Sequence, residues 1–302
     1  MTRTRRASKG PSNPLLARRA PVEYNIPTMP AVIERVTVYC FLASYAVAFA
    51  LEVLHFVRPR PIVRGLSLVC GAAGLLAQTL FVAVKPLDLA SPFGSLLLLA
   101  WVLAVFYLYG SIHHGRLAWG LFVLPLVIGL IGLAELAPPS PEANSSGSLW
   151  TSLSPSWGLV HGALLLLAAV GVSVGFVASL MYLVQVRRLR AKLAPGEGVR
   201  LLSLERIEEM NRRAILWSFP LLTAGLLVGI VLQVQHGEFL VGWSSPKIII
   251  TVGLWLVFAI LLYLRYGTHV RGRQVALLTV VAFALLIVAL VSVHPFVGGG
   301  GP

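Results

Sequence analysis

The sequence predicts an all-α protein, a polytopic transmembrane helical bundle of about eight spans. Of its 302 residues, 57% are hydrophobic and only 12% are charged, and the mean hydropathy is +0.85. A soluble domain cannot bury that much apolar surface and still present a charged exterior, so lipid is predicted to surround most of the chain. The apolar runs are too long for strands and lack a two-residue alternation, which argues against a β-barrel.

Each predicted span is an apolar run of the length that a bilayer requires. A hydrocarbon core of roughly 30 Å needs about 20 apolar residues per helix. Prolines, lysines or arginines end several of the runs, as at 58–61, 85–86, 138–139 and 187–190. The eight predicted spans are 32–56, 62–84, 93–112, 117–137, 158–185, 214–234, 247–266 and 274–294.

The basic residues are concentrated in the loops of one predicted membrane face. The formal net charge is +13. Arginines gather at 58–64, 116, 187–213 and 265–273, in loops that lie on the same side if successive spans cross the membrane in opposite directions. An excess of Lys and Arg in short loops marks the cytoplasmic face. This distribution explains the charge without a nucleic-acid partner. Both termini are therefore predicted to lie outside.

The chain divides into one membrane domain with short flanking tails. Residues 1–30 are predicted to be a disordered basic tail, with Met29 as an alternative start, and they lack the apolar core of a signal peptide. The positive charge of this tail is on the predicted outer side, contrary to the positive-inside rule, but the charges of the remaining loops can determine the orientation. Residues 31–296 form the membrane domain, 186–213 form a cytoplasmic amphipathic loop within it, and 297–302 form a Gly-rich tail. Helical spacing after Ser203 predicts a short helix lying on the membrane surface.

The two cysteines do not indicate thiol chemistry. Cys40 and Cys70 fall in the first two spans, 30 residues apart, and the chain contains no Cys-x-x-Cys. Both are therefore predicted to be buried apolar side chains.

Two histidines stand at one predicted membrane face, the outer one. His161 opens the fifth span and His294 closes the eighth, each about one turn inside an apolar run, where polar side chains are costly and tend to be kept for function. Neutral imidazole is the common ligand of haem iron, and two imidazoles on separate helices can approach one iron from both faces. For either histidine alone, a hydrogen-bonded polar cap is the alternative interpretation.

Aromatic residues gather at the same predicted face, at Trp150, Trp157, Phe239, Trp243 and Phe296. An interfacial aromatic belt is typical of membrane proteins. A stacking platform for the flat apolar face of a porphyrin explains them equally well. The sequence leaves both interpretations open.

Several segments, taken in order, resemble the spans of the cytochrome c assembly protein family, which includes CcsA/ResC-type and HemX-type proteins. The resemblance covers roughly residues 35–296. It implies an eight-helix membrane fold and haem handling. The segments that carry it are 91–101, 120–126, 157–161, 182–190, 203–207, 219–229, 243–247, 255–259 and 271–277.

The resemblance also implies a haem site at the outer face. His161 and His294 match the two family histidines that ligate haem, and Trp243, Pro246 and Lys247 match part of a Trp-rich segment that forms the haem platform. That segment is reduced here: Ser245 and Ile248 replace its two acidic residues, and most of its tryptophans are missing. A family histidine inside the seventh span is absent from 261–265. These departures suit a divergent or HemX-type member as well as a working one.

The resulting expectation is a haem-handling subunit of cytochrome c biogenesis in a bacterial plasma membrane. It would bind haem b and present it to apocytochrome c beside a ResB-like membrane partner, acting at most as a component of a haem lyase. One alternative is a HemX-type regulator of tetrapyrrole synthesis. Another is a small-solute transporter, for which the candidate polar residues are Glu52, near the cytoplasmic end of its span, and Gln78, while no charged residue is clearly mid-span.

Overall fold

Eight helices follow one another in the part of the chain that the structure describes. The computed structural model describes residues 37–85, 91–113, 119–137, 155–191, 203–235, 246–267 and 272–291. Within these ranges the chain is helical and contains no strand, which confirms the predicted fold class. The helices are α1 (Val38–Val57), α2 (Pro61–Val84), α3 (Pro92–His113), α4 (Gly120–Leu136), α5 (Pro155–Arg190), α6 (Leu204–Gln235), α7 (Pro246–Gly267) and α8 (Gly272–Val291).

The helices have the length and composition of a multi-pass membrane protein. Six of them, α1, α2, α3, α5, α6 and α8, are long and apolar enough to cross a bilayer, and α4 and α7 contain shorter apolar stretches. Each corresponds to one predicted span. The placement of both termini outside the membrane stays a prediction, and residues 1–36 and 292–302 lie outside the described residues.

Helix α2 shows how this fold reverses the usual polarity of a soluble protein. Its outward stripe is apolar, with Ile62, Val69 and Leu76 exposed by 81%, 65% and 62%. Its buried face carries Ser67 and Gln78 together with small residues. Membrane helices associate through small and polar residues because lipid tails are as apolar as leucine. The distribution is therefore that of a helix with lipid on its outer side.

The reversed polarity corrects the expectation for the cysteines. Cys40 is exposed and Cys70 is only half-buried. In a membrane bundle an apolar side chain need not face the core, because lipid solvates it equally well. Burial was thus wrongly inferred from apolar character alone.

The bundle is built from two groups of four helices. In the first, α1 packs on α2 and α4, and α3 packs on α2 and α4. In the second, α5 packs on α6 and α8, while α7 packs on α6 and α8. Helices α3 and α4 contact α5, and α3 also contacts α8, which joins the groups. A single cluster of buried apolar side chains runs through both.

The polar residues of the first group hold its helices together. The Tyr45 hydroxyl donates to Gln78 Oε1 (2.8 Å), and Gln78 Nε2 donates to the Leu97 carbonyl (3.1 Å), which links α1, α2 and α3. The hydroxyl of Ser67 lies 3.1 Å from a carboxylate oxygen of Glu52. Both candidate transport residues, Glu52 and Gln78, therefore take part in interhelical hydrogen bonds.

The arginines lie at one end of the bundle, here called the basic end. Arg64 of α2 donates to the carbonyl of Ser111 near the end of α3 (2.8 Å), which brings the start of α2 beside the end of α3. A cleft brings Tyr109 of α3 beside Arg206 at the start of α6. The members of this group in the described residues are Arg58, Arg60, Arg64, Arg187, Arg188, Arg190, Arg206, Arg212, Arg213 and Arg273. This grouping supports the predicted cytoplasmic face.

Helices α5 and α6 form a long antiparallel pair at close range. A Cβ atom placed on Gly175 would lie 3.5 Å from the Cβ of Ala214, and one on Gly225 would lie 2.7 Å from a methyl carbon of Leu165. The helical turns predicted after Ser203 are present, but they continue without a break into α6 instead of forming a separate surface helix. Contact with α5 along those turns explains the continuity.

Asn211 is the polar residue that joins these first turns of α6 to α5. It is 5% exposed, and its amide nitrogen donates to the carbonyl of Gly175 (3.0 Å) and to the hydroxyl of Ser179 (2.8 Å). Hydrogen bonds between membrane helices contribute about 0.6 kcal/mol on average and up to about 1.7 kcal/mol. Two of them on one side chain make Asn211 a major contact of the pair.

Replacing Asn211 with alanine is therefore expected to destabilise the bundle by about 1 to 2 kcal/mol, because Gly175 and Ser179 both lose a partner. Thermal unfolding of the purified protein in detergent measures the change. Leu216→Ala on the same helix is the control, because Leu216 is 45% exposed and its truncation removes little protein packing. Equal melting temperatures for the two variants would contradict the assignment.

Candidate functional site

His161 lies in the second turn of α5, at the end of the bundle opposite the basic end. Its Nδ1 is 2.8 Å from the backbone carbonyl oxygen of Gly225 on α6. A carbonyl oxygen only accepts hydrogen bonds, so Nδ1 carries the proton and donates it. The imidazole of His161 is thereby fixed in one tautomer and one orientation by the neighbouring helix.

Two glycines of α6 contact this imidazole in different ways. Gly225 supplies the carbonyl, and a Cβ atom on Gly229, one turn further along, would lie 2.7 Å from Cε1 of His161. Real Cβ atoms do not approach a ring carbon so closely, and a side chain at Gly229 would therefore displace the imidazole. Gly225 and Gly229 form the Gly-x-x-x-Gly spacing that lets membrane helices approach. At this pair, the missing side chain of Gly225 makes room for Leu165, and that of Gly229 makes room for the imidazole of His161.

This tautomer suits ligation of a metal. With Nδ1 protonated, the lone pair of the neutral ring is on Nε2, the atom that binds iron in an axial histidine. Histidine ligands commonly donate their other nitrogen to a carbonyl or carboxylate, which orients the ring and raises its basicity. The Gly225 carbonyl supplies such a partner, and His161 fits the role of an axial haem ligand.

The described residues contain no cluster of three or more His, Cys, Asp or Glu side chains that could hold a bare metal ion. Haem iron differs from such an ion because four of its ligands come from the porphyrin, and the protein need supply only one or two. A single positioned histidine on α5 is compatible with haem and not with a protein-built multidentate site within those residues.

Only some of the other predicted site residues lie within the described part of the chain. Trp157 lies one turn before His161 on α5 and is 54% exposed. Pro246 and Lys247 begin α7. Trp243 and His294 lie outside the described residues. The structure thus brings Trp157 and His161 to one helix end. The approach of His294 to His161 stays a prediction.

The antiparallel register of α5 and α8 indicates how far along α5 the end of α8 reaches. Gly175 faces a methyl group of Thr279, and the rings of Phe176 and Phe283 stack with centroids 4.1 Å apart. Extending this register places Val291, the last residue of α8, within about two turns of His161 along α5. The chain reaches position 294 three residues later.

Helix α7 is fixed to α6 near the same end by a contact that the sequence did not predict. The indole nitrogen of Trp255 donates to the hydroxyl of Thr223 (2.9 Å), and its ring lies 5.6 Å from that of Phe219. The Gly225 and Gly229 pair was likewise overlooked as a seat for His161. Its four-residue spacing in an apolar run was the available signal.

Comparison with known proteins places this architecture in a family. The sequence model of the Cytochrome C assembly protein family matches residues 89–297, which include α3 to α8 and His161. The chain belongs to this family. The predicted resemblance is confirmed over the larger part of the chain, while α1 and α2 precede the matched range.

Relatives within the cytochrome c assembly family are distant but cover most of the chain. The cytochrome c biogenesis protein CcsA of Guillardia theta is 22% identical over 248 residues, covering 77% of this chain and 81% of its own length. The protein of the same name from Thermosynechococcus vestitus is 25% identical over 235 residues, covering 66% and 73%. No solved structure matches the chain. The protein therefore has a role in cytochrome c biogenesis as a multi-pass membrane protein.

Proposed function

We propose that the protein binds haem at the end of the bundle where α5 begins and presents it for attachment to apocytochrome c. The observation that carries this proposal is the 2.8 Å contact between His161 Nδ1 and the Gly225 carbonyl oxygen. It fixes the histidine in the tautomer that an axial ligand needs. A histidine that served only as a polar cap would not require the space that Gly229 leaves for its ring in the neighbouring helix.

Haem is the substrate in this proposal, and the chain's residues hold and orient it. His161 supplies one axial ligand and His294 supplies the second, from the opposite face of the porphyrin. Trp157 and Trp243 provide aromatic surface for the macrocycle, with Pro246 and Lys247 at the start of α7 completing the platform. The haem is b-type, since its vinyl groups must remain unreacted until they meet the apocytochrome cysteines.

The protein contributes positioning and control of the iron's redox state, and no thiol. Cys40 lies on α1 and Cys70 on α2, in the helix group that does not carry His161. The thioether bonds therefore form on the Cys-x-x-Cys-His segment of the apocytochrome. Two axial imidazoles saturate the iron and keep other ligands from it until transfer.

The setting proposed is the plasma membrane of a bacterium, with the basic end in the cytoplasm and both termini outside. The positive-inside rule supports that orientation and places His161 at the outer surface, where apocytochromes are matured. A ResB-like membrane protein is the proposed partner.

A HemX-type regulator of tetrapyrrole synthesis is the second candidate, favoured by the reduced segment at 242–248. The two functions differ in which cytochromes they affect. A maturation subunit limits only c-type cytochromes, because haem itself continues to be made. A regulator changes all haem proteins together.

Deleting the gene in its own host and restoring it on a plasmid tests the proposed function. We expect deletion to remove membrane c-type cytochromes, detected by staining for covalent haem, while b-type cytochrome spectra keep their intensity. The wild-type chain restores the c-type bands, and a chain with His161→Ala and His294→Ala does not. A parallel fall of b-type and c-type haem on deletion would instead support the regulator.

A further inference from the structure

A cleft of about 450 Å³ lies at the basic end, between the two groups of helices. Phe106 of α3, Trp119 before α4, Val174 of α5 and Met210 of α6 form its apolar walls. Its volume is within the range of small-molecule sites, roughly 300–1,000 Å³. The cleft is far from His161, because α5 and α6 run the length of the bundle between them.

The charged side of the cleft comes from one face of α6. Arg206, Glu209 and Arg213 recur at three- and four-residue spacing, and all three line the cleft. Two other residues of the same turns, Ile207 and Asn211, are buried on the face that packs against α5. The first turns of α6 are therefore held in place on one side and present a charged stripe to the cleft on another.

Arginine dominates this stripe. Glu209 accepts hydrogen bonds from Arg212 (2.7 and 2.9 Å) and from Arg213 (2.7 Å), so its charge is already matched. Among the described residues, no carboxylate lies within ion-pair distance of Arg206. Glu208 turns to the opposite side, beside Gly272 of α8. The cleft therefore combines an apolar interior with an excess of guanidinium at its rim.

We propose that this cleft binds an anionic phospholipid of the bilayer. One acyl chain packs against Phe106, Val174 and Met210, and the phosphate is bound by Arg206 with Arg213 beside it. Guanidinium groups bind phosphate through charge-assisted, often paired hydrogen bonds. The basic end is the expected cytoplasmic leaflet, where anionic headgroups attract arginines. Such a lipid fills the gap between the two groups of helices and joins α3 to α6.

Native mass spectrometry of the full chain tests this proposal. The purified protein in detergent is titrated with dioleoylphosphatidylglycerol and, separately, with dioleoylphosphatidylcholine. We expect one phosphatidylglycerol to bind more tightly than phosphatidylcholine, and Arg206→Gln to weaken that first binding step about tenfold. Arg190→Gln at the end of α5 removes the same charge away from the cleft and is expected to leave the step unchanged.

A second variant tests the apolar part of the site without altering charge. Val174→Trp narrows the cleft and is expected to lower the affinity for both lipids, while size-exclusion profiles report whether the bundle remains intact. If Arg206→Gln and Arg190→Gln lower the affinity for phosphatidylglycerol equally, the lipid is held only by diffuse surface attraction and the proposal is overturned. Equal affinity for the two lipids in the wild-type chain would overturn it as well.

Discussion

Under the proposed function, replacing His161 with alanine is expected to remove most of the haem bound to the purified protein. The imidazole is the proposed ligand, which the Gly225 carbonyl orients. Loss of a supporting partner alone typically costs about 10–100-fold in metal affinity. Loss of the ligand itself should lower the affinity for haem by at least as large a factor. The Soret absorbance per protein of detergent-purified chain measures the effect, and a pyridine haemochrome spectrum shows whether the haem is b-type.

His113→Ala is the matched control for this experiment. The Nδ1 of His113 also lies near a backbone carbonyl, that of Tyr109 (3.0 Å), but the residue is exposed at the basic end. Its removal should leave the Soret band unchanged. Added imidazole should restore a low-spin spectrum to His161→Ala by occupying the vacated position. A Soret band that survives the joint loss of His161 and His294 would rule out ligation by this pair.

Replacing Gly229 with valine should abolish haem binding almost as thoroughly, although the residue has no side chain to bind anything. Its new Cβ would lie 2.7 Å from Cε1 of His161, so the ring must move and its bond to the Gly225 carbonyl must break. We expect a loss of at least about tenfold in bound haem, comparable with removal of a supporting partner. Haem content measured beside melting temperature separates displacement of the ring from general unfolding.

Gly162→Val is the control for that substitution. Gly162 is the neighbour of His161 on α5, and no atom lies within 4 Å of a Cβ placed there. The control therefore introduces the same β-branched side chain into a membrane helix without touching the imidazole. Wild-type haem content in Gly229→Val would show that the orientation of His161 does not matter for binding.

Hydropathy was sufficient to predict the number and order of the described helices. A helix that crosses a bilayer needs a long apolar run, and a non-helical backbone in lipid would leave polar groups without hydrogen bonds. Hydropathy could not predict which side of each helix faces the protein. On α2 the apolar residues face outward and Gln78 faces inward, the opposite of what burial rules for soluble proteins give. The error for Cys40 has the same origin.

The candidate site was only partly predictable from sequence for a similar reason. The position of His161 near the start of an apolar run indicated a functional histidine, since lipid makes such a residue costly. The carbonyl that orients it belongs to Gly225 and the space for its ring is left by Gly229, both more than sixty residues away. Only the antiparallel register of α5 and α6 brings these positions together, and that register depends on side-chain packing along the whole pair.

The outward stripe of α2 has a consequence for how such proteins diverge. Any apolar residue of suitable size dissolves equally well in hydrocarbon, so Ile62, Val69 and Leu76 can be exchanged with little effect on folding. Selection then acts mainly on the small and polar contacts of the interior. Much of the chain can drift in this way, which accounts for relatives that retain only 22% to 25% identity across most of their length.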